Sequence, residues 1–568
     1  MSSSQILTAI VGRVAGLPIR RRAAVFEHAT KSPERIQNQL RQRILHRQTC
    51  TQFGRDHHFA EIRSLSDFRR NLPIAPYEYF EPYLLKVRQG NFRALLADNK
   101  IHMFALTSGT TAARKYIPVT DQYLADYRRG WNIWGLKAYL AHPASKLRPI
   151  VQLSGDWNEF KSECGIPCGA VTGLTAQMQR PFIRWLYCVP PCVGRVKDAT
   201  AKYYLALRLS LYRHVGMIIA ANPSTLVNLA RAGDAAKESL IRDLHDGTLS
   251  SSIQLDPEVR RELAPRLSTR HPERAHELEA VVARTGTLYP KDYWSPKCLL
   301  GNWTGGSVGA YLRHYPRYFG DMPVRDVGLI ASEGRMTIPM ADGTPSGVLD
   351  ISSHFFEFIP EDEAESSKPI TLAAHEVQEG RSYFIVLTTA AGLYRYNIHD
   401  LVRVTGFHNR TPLVEFLSKG SHIASITGEK LSEHQVTKAM SDVLNELNQT
   451  VTAYTVAPCW DDELPYYSLF LEESDLLLNG HANQIVDLLD QQLCRRNDEY
   501  AAKRTSGRLG PARLEILPQG TWHHWDQLRL TRTGGSLEQY KHPCLIADPK
   551  FRESLNTAIA AAQKQRSW

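Results

Sequence analysis

The chain lacks any long, unbroken apolar run. Its apolar stretches near Leu205 and Ile218 are short and interrupted by Arg208, Arg213 and His214, so none has the length a bilayer crossing requires. No basic residue precedes the first apolar segment, MSSSQILTAIVGRVAGLPIRRR, which excludes the pattern of a secretory signal; the spacing predicts an amphipathic first helix. Charge is not gathered anywhere. A net +10, from 68 basic and 58 acidic residues, is spread along the chain, which excludes the basic stripe of a nucleic-acid binder and leaves a modest field suited to small anions such as ATP. A paired cysteine framework is also missing: nine cysteines, an odd number in a long chain, predict free thiols and a reducing, cytoplasmic setting. Cys164-x3-Cys168 and Cys188-x3-Cys192 are the one arrangement that could hold zinc. The usual ribbon has two intervening residues, and the second pair brackets a Val-Pro-Pro turn, so buried or loop thiols are expected instead. There is no GxxxxGK[ST] phosphate loop and no internal repeat.

What is present is length and alternation. With 568 residues, two or more domains are expected. Helical periodicity runs through 20–60, with Ile36, Leu40 and Ile44 on one face. A helix is predicted over 121–141 and charged helix over 255–285. Short apolar runs at 102–107, 148–155, 215–221, 298–301 and 324–331 read as strands between them. That alternation predicts an α/β fold with a largely parallel sheet. Residues of about 345–420 are β-rich. Beyond them lies a compact αβ unit with helices at 432–447 and 482–503 and strands at 451–457, 466–472 and 512–517. The predicted division is a large N-terminal domain over 1–420, a small mobile C-terminal cap over 421–568, and a hinge about 418–427 (SKGSHIAS, with Gly420).

Three loops carry candidate chemistry. TSGTT, Thr107 to Thr111, follows an apolar strand; its backbone N–H groups and hydroxyls can wrap phosphate, and Arg114 and Lys115 add positive charge. ASEG places Glu333 after another strand, where one carboxylate could hold Mg²⁺ together with phosphate oxygens. YRYNIHD places Asp400 where it can accept hydrogen bonds from ribose hydroxyls. Alone, the first also reads as a capped turn, the second as a helix N-terminus with Glu in its first turn, and the third as a surface turn.

Taken in order and at these separations, the three resemble the Gretchen Hagen 3 family, the auxin-responsive acyl-acid amido synthetases. That family lies within the adenylate-forming superfamily, beside acyl-CoA synthetases and luciferases. WTGG (303–306), FFEFIP (355–360), VRVTGFHN (402–409), GEKLSEHQV (428–436) and EQYKHP (538–543) extend the likeness over about 30–550. The resemblance implies a phosphate loop at Thr107, Ser108, Gly109, Thr110 and Thr111, and a Mg²⁺ and phosphate role for Glu333. It implies adenine near Thr304, Gly305, Gly306 and Ser332, and ribose on Asp400. It also implies nucleotide- and acyl-contacting cations at Lys430 and Lys541. Two positions depart from the family pattern: Ala112 (followed by Ala113) and His399 stand where glycine is common. If the latter position needs φ > 0, histidine is the poorer fit.

The implied reaction is ATP-dependent activation of a carboxylic acid as its adenylate, with release of pyrophosphate, followed by transfer to an amine, in particular an amino acid. Small, hydroxylated and cationic residues suit the charge that spreads over phosphate oxygens, and no Ser–His–Asp set is needed. His399 and His434 are candidates for the base of the second step but read as ordinary polar histidines. Arg128 or Arg129 could meet the acid, although exposed arginines are the simpler reading. The alternatives are transfer to CoA or a carrier thiol, or an inactive homologue that only binds. No nucleic acid or membrane is expected as a partner, and a monomer suits the family.

Overall fold

The computed structural model describes residues 3–107, 114–179, 181–363, 366, 368–419, 423–424, 426–427, 429, 431–460, 464–476, 482–505, 509–533 and 541–566. The fold is mixed α/β, as the alternation predicts, but the parallel sheet is smaller than expected. Ile150–Gln152, Met217–Ile219, Leu299–Gly301 and Val324–Arg325 form an all-parallel four-stranded sheet of very short strands. Helices such as Ala199–Arg208 and Pro223–Ala235 bury Leu205, Leu207, Leu226 and Leu229 beside it. The strand Met103–Thr107 belongs to a separate, mixed sheet. It pairs antiparallel with Lys115–Val119 and parallel with Pro167–Gly169, so Thr107 and Lys115 stand opposite each other at the end of an antiparallel pair.

The β-rich stretch folds into one antiparallel seven-stranded sheet. Phe355–Pro360, Ser382–Thr388, Tyr396–His408 and Thr411–Lys419 lie side by side in it. Its inner side chains, with Phe53, Phe80 and Leu106, form the largest apolar cluster. Arg395 locks this sheet to the N-terminal helices. Its guanidinium reaches Glu357 (2.8 Å) and the carbonyl of Leu72 (2.7 Å), all buried.

The first helix is Ser3–Ala29 and packs on Asp121–Ala141. Two long helical predictions are broken. The 255–285 stretch splits into Pro257–Leu267 and Pro272–Thr285, because Pro272 has no N–H for a continuing helix. The 482–503 stretch splits into Ala482–Arg496 and Asp498–Thr505. There Asn497 turns its side chain to the carbonyl of Glu429 (2.9 Å) and accepts from Tyr500 N–H (2.8 Å), acting as a cap in mid-run.

The C-terminal region has its own core around Val436, Met440, Leu469 and Leu489. Its strands Tyr454–Trp460 and Pro465–Glu472 are antiparallel, and Arg513–Leu517 is parallel to the second. The helix Glu433–Glu446 begins in a full capping box made by Ser432 and Gln435. It also receives Arg313, whose Nη2 donates to the Ser441 carbonyl (3.1 Å) and to Asn445 (3.3 Å). That contact seats the C-terminal region on the segment that follows WTGG.

Candidate functional site

The hairpin that carries TSGTT starts and ends at a register pair, Thr107 opposite Lys115. Lys115 therefore projects from the base of the loop, and its ammonium donates to the Tyr396 hydroxyl (3.2 Å). The Tyr396 hydroxyl in turn donates to Glu333 Oε1 (3.3 Å). Glu333 is 3 % exposed. It does not open a helix. Ser332 and Glu333 form the turn between two-residue strands, Ile330–Ala331 and Gly334–Arg335. Ser332 fixes that turn from both sides: its hydroxyl donates to the Leu106 carbonyl (2.8 Å), and its carbonyl accepts from Tyr123 (2.9 Å). Gly334 is required there. Its φ is +143°, and a Cβ would lie 2.5 Å from His354 Nε2.

Asp400 comes to the same place from the third loop. It lies within the strand Tyr396–His408, buried at 3 %, and not in a surface turn. Burial first, then the charges of Glu333 and Asp400, hold the Tyr396 phenol well above its ordinary range. Two carboxylates 67 residues apart in the chain (400 − 333) thus act on one hydroxyl. The residue before Asp400 does adopt the left-handed conformation: His399 has φ +59°, and its N–H donates to the Asn397 side chain (2.9 Å). The pairing with Ser382–Thr388 slips here, with Leu401 opposite Phe384 but Asn397 opposite Val386. This bulge re-aims the strand beside Asp400.

A second group assembles around WTGG. Asp326 accepts from the Thr304 N–H (2.6 Å), the Thr304 hydroxyl (2.8 Å) and the Gly328 N–H (2.6 Å). Burial pushes its carboxyl up to about 6, against those donors and the charge of Lys541. Gly306 (φ +64°) and Gly305 lie against the strand Thr411–Lys419. A Cβ on Gly306 would be 3.1 Å from the Leu417 carbonyl, and one on Gly305 would be 2.8 Å from Pro345. Lys541, from the C-terminal region, lies over Trp303 (4.3 Å to the ring centre) and Phe416 (4.4 Å). The two groups share that strand: Lys419, opposite Asp400, is two residues from Leu417.

Other expected residues go elsewhere. Arg114 is over Phe160 (5.3 Å), away from Tyr396. Arg129 is not an exposed arginine; it pairs with Asp126 (2.6 Å), Asp350 (3.3 Å) and Ser353 (2.6 Å) inside the protein. Arg128 reaches toward the Met178 carbonyl (3.5 Å). His434 is not an ordinary surface histidine: burial first, then Arg403, Lys438 and Arg496, bring it down to about 4 and keep it neutral. Cys168, Cys188 and Cys192 are buried and Cys164 is exposed. Burial pushes the Cys188 and Cys192 thiols up to about 11 and about 12. Ser108, Gly109, Thr110, Thr111, Ala112 and Ala113 lie outside the described residues, as do Gly420 and Lys430.

Sequence reasoning passed over Tyr396, Asp326 and Glu429. Tyr396 stands inside the YRY motif, and Asp326 precedes Glu333 on the same strand-and-loop segment, so the motifs held both. Glu429, next to Lys430, is fully buried; it accepts from the Ile426 and Thr427 N–H groups (2.8 Å each) and from the Tyr467 hydroxyl. The EK pair thus has an anchor in its first member. The arrangement as a whole offers buried acceptors, hydroxyls and at least two cations, with a stacking surface at Trp303. That set can hold a polyanion with sugar hydroxyls and stabilise charge developing on phosphate. Among the described residues no three His, Cys, Asp or Glu side chains gather as a metal centre. A single buried carboxylate fits Mg²⁺, which takes one or two carboxylates and fills its octahedron with phosphate and water.

Comparisons with known proteins show the family. The models of the GH3 family N-terminal, central and C-terminal domains match residues 22–324, 347–419 and 434–550. The chain is 25 % identical over 545 residues to jasmonoyl–L-amino acid synthetase JAR6 of Nicotiana attenuata, covering 91 % of this chain and 92 % of that one. It is 26 % identical over 582 residues to the probable indole-3-acetic acid-amido synthetase GH3.12 of Oryza sativa subsp. japonica, covering 92 % and 93 %. The solved GH3.15 acyl acid amido synthetase superposes with a TM-score of 0.81 over 95 % of both chains at 20 % identity. A 2-hydroxyisobutyryl-CoA ligase in its postadenylation state gives 0.52 at 14 % identity, over 93 % and 91 %. These two likenesses concern the fold alone. With family models matched from residue 22 to residue 550, the chain belongs to the GH3 family.

Proposed function

We propose that the protein is an ATP-dependent acyl-acid amido synthetase. It activates a carboxylic acid as its adenylate and transfers the acyl group to an amine, in particular an amino acid. The observation that carries the proposal is the convergence of Lys115, Glu333 and Asp400 on Tyr396 at the base of the TSGTT hairpin. Among the relatives named above are a jasmonoyl–L-amino acid synthetase and a probable indole-3-acetic acid-amido synthetase, which supports the same class of reaction here.

In this reading the ribose lies on Asp400, whose buried carboxylate accepts its hydroxyls. The adenine lies against Trp303 and the Thr304–Gly306 turn, which Asp326 holds in shape. The main-chain N–H groups and hydroxyls of Ser108 to Thr111 receive the phosphates, so that the acid can attack the α-phosphorus and pyrophosphate can leave. Lys541, seated over Trp303 and Phe416, brings positive charge to the nucleotide from the C-terminal region. Mg²⁺, held by Glu333 together with the phosphates, would neutralise the charge of the departing pyrophosphate. Lys115, through Tyr396, orients Glu333 for that role.

For the second step the acyl carbon must be exposed to a neutral amine. We infer that residues 421–568 turn as a cap about 418–427, withdrawing Lys541 and bringing the Glu429–Lys430 segment toward the site. The free thiols fit a reducing setting such as the cytoplasm, and we take the protein to act as a monomer. The test is a screen of carboxylic acids for AMP and pyrophosphate release, with mass spectrometry of the conjugate. Stimulation by amino acids, and not by CoA, is expected; stimulation by CoA alone would move the protein to the thiol-transferring enzymes that share the fold.

A further inference from the structure

Arg335 is a buried cation with no carboxylate of the described residues in direct contact; Asp350 and Asp326 act on its charge only from a distance. Its side chain is 1 % exposed. Nη1 donates to the carbonyls of Val327 (2.6 Å) and Thr337 (3.1 Å), while Nε and Nη2 have no hydrogen-bond partner. The guanidinium lies over the Trp131 ring at 4.3 Å. The nearby carboxylates are engaged by others: Asp350 by Arg129 and Ser353, Asp326 by Thr304 and Gly328. A buried arginine normally has its charge matched, since an unpaired one is costly. Burial pushes this one down to about 10.

The helix Asp121–Ala141 is shaped around it. A Cβ at Gly130 would fall 2.2 Å from Arg335 Cδ, so the glycine is a notch for the arginine stem. Tyr123, Tyr127 and Trp131 follow one another at four-residue spacing on that helix, with neighbouring rings 6.0 and 6.5 Å apart, and make an aromatic wall beside it. Arg335, Tyr123, Tyr127 and His354 line a cavity of about 10 Å³, which admits one water-sized oxygen. Tyr123 is also the residue that holds the Ser332 carbonyl (2.9 Å). One aromatic ring therefore separates this cavity from the turn that carries Glu333.

We propose that Arg335 is the subsite for a second carboxylate on the acyl substrate, so that the protein prefers dicarboxylic acids over acids with an apolar tail. This rests on the function proposed above. One carboxylate would be activated at the Glu333–Tyr396 centre, and the other would place a single oxygen in the cavity to accept from Nε or Nη2, the Tyr123 ring turning aside to admit the linking carbons.

The experiment measures pyrophosphate release from aliphatic and aromatic dicarboxylic acids, each beside its monomethyl ester, its hydroxyl counterpart and the monoacid of equal length. Wild type, Arg335→Met and Arg335→Lys are compared, with thermal melts of each. For the best diacid we expect kcat/KM at least about tenfold above that of its ester in wild type. The ratio should fall to near one in Arg335→Met and be partly kept in Arg335→Lys. Equal use of diacid and ester by wild type, a preference for the hydroxyl counterpart, or a preference unchanged in a folded Arg335→Met would each overturn the proposal. Should Arg335→Met not fold, the wild-type ratio and Arg335→Lys still decide. Release of pyrophosphate with no acid of any kind would instead defeat the ligase reading on which this one stands.

Discussion

The Tyr396 hydroxyl donates to Glu333 across 3.3 Å, joining the YRY strand to the SEG turn beneath the TSGTT hairpin. Through it Lys115, Glu333 and Asp400 form one electrostatic unit. If Tyr396 orients Glu333 without touching substrate, Tyr396→Phe should lower adenylation by about tenfold and raise the Mg²⁺ concentration needed for half-maximal rate. Glu333→Gln should cost roughly a hundredfold or more at any Mg²⁺ level. A magnesium titration of the two variants tells positioning from direct binding.

Asp326 gives a pH signature. Its carboxyl titrates near about 6 in the folded chain against an ordinary 3.8. Between those values the folded protein keeps a proton that the unfolded chain has released, so stability falls as pH rises through that window. Asp326→Asn lacks this slope. The difference in unfolding free energy, wild type minus variant, should fall by on the order of 2–3 kcal/mol from about pH 4 to about pH 7. Urea denaturation across that range measures it; a flat difference would mean the carboxylate is ionised throughout.

His399 tests the backbone beside Asp400. At φ +59° a β-branched side chain is strained, so His399→Val should destabilise the fold by about 1–2 kcal/mol. His399→Gly should stay within roughly 0.5 kcal/mol of wild type and keep its turnover, because relief of strain is offset by the entropy of glycine. Chemical denaturation gives both numbers.

Arg395 separates structure from chemistry within the same motif. It is paired with Glu357 in the core, at 2.8 Å, and points away from the site. Arg395→Met leaves that buried carboxylate with Arg69 (2.9 Å) as its remaining cation and should cost about 3 kcal/mol. Its activity loss should therefore follow its melting temperature, whereas that of Asp400→Asn should not.

These residues also show what the sequence could tell. Glu333 and Asp400 were legible because short loop motifs hold them, and the alternation of elements marked the α/β class. The left-handed backbone at 399 followed from a histidine standing where glycine is common. Contacts made between distant segments were not legible. Nothing local to Lys115 says that it faces Tyr396, 281 residues on, and nothing near Thr304 says that Asp326 holds it. The helix break at Asn497 was missed for the same reason, since its side chain is drawn off by the backbone of Glu429. The hairpin pairing of Met103–Thr107 with Lys115–Val119 depends on strand partners that apolar runs do not name.

The most direct measurement is acid-dependent exchange of labelled pyrophosphate into ATP, without any acceptor, in wild type, Glu333→Gln and Asp400→Asn. Exchange with at least one carboxylic acid, none without acid, and a loss of roughly a hundredfold in both variants at unchanged melting temperature is the predicted result. Wild-type exchange in either variant, or exchange indifferent to acid, would contradict the account.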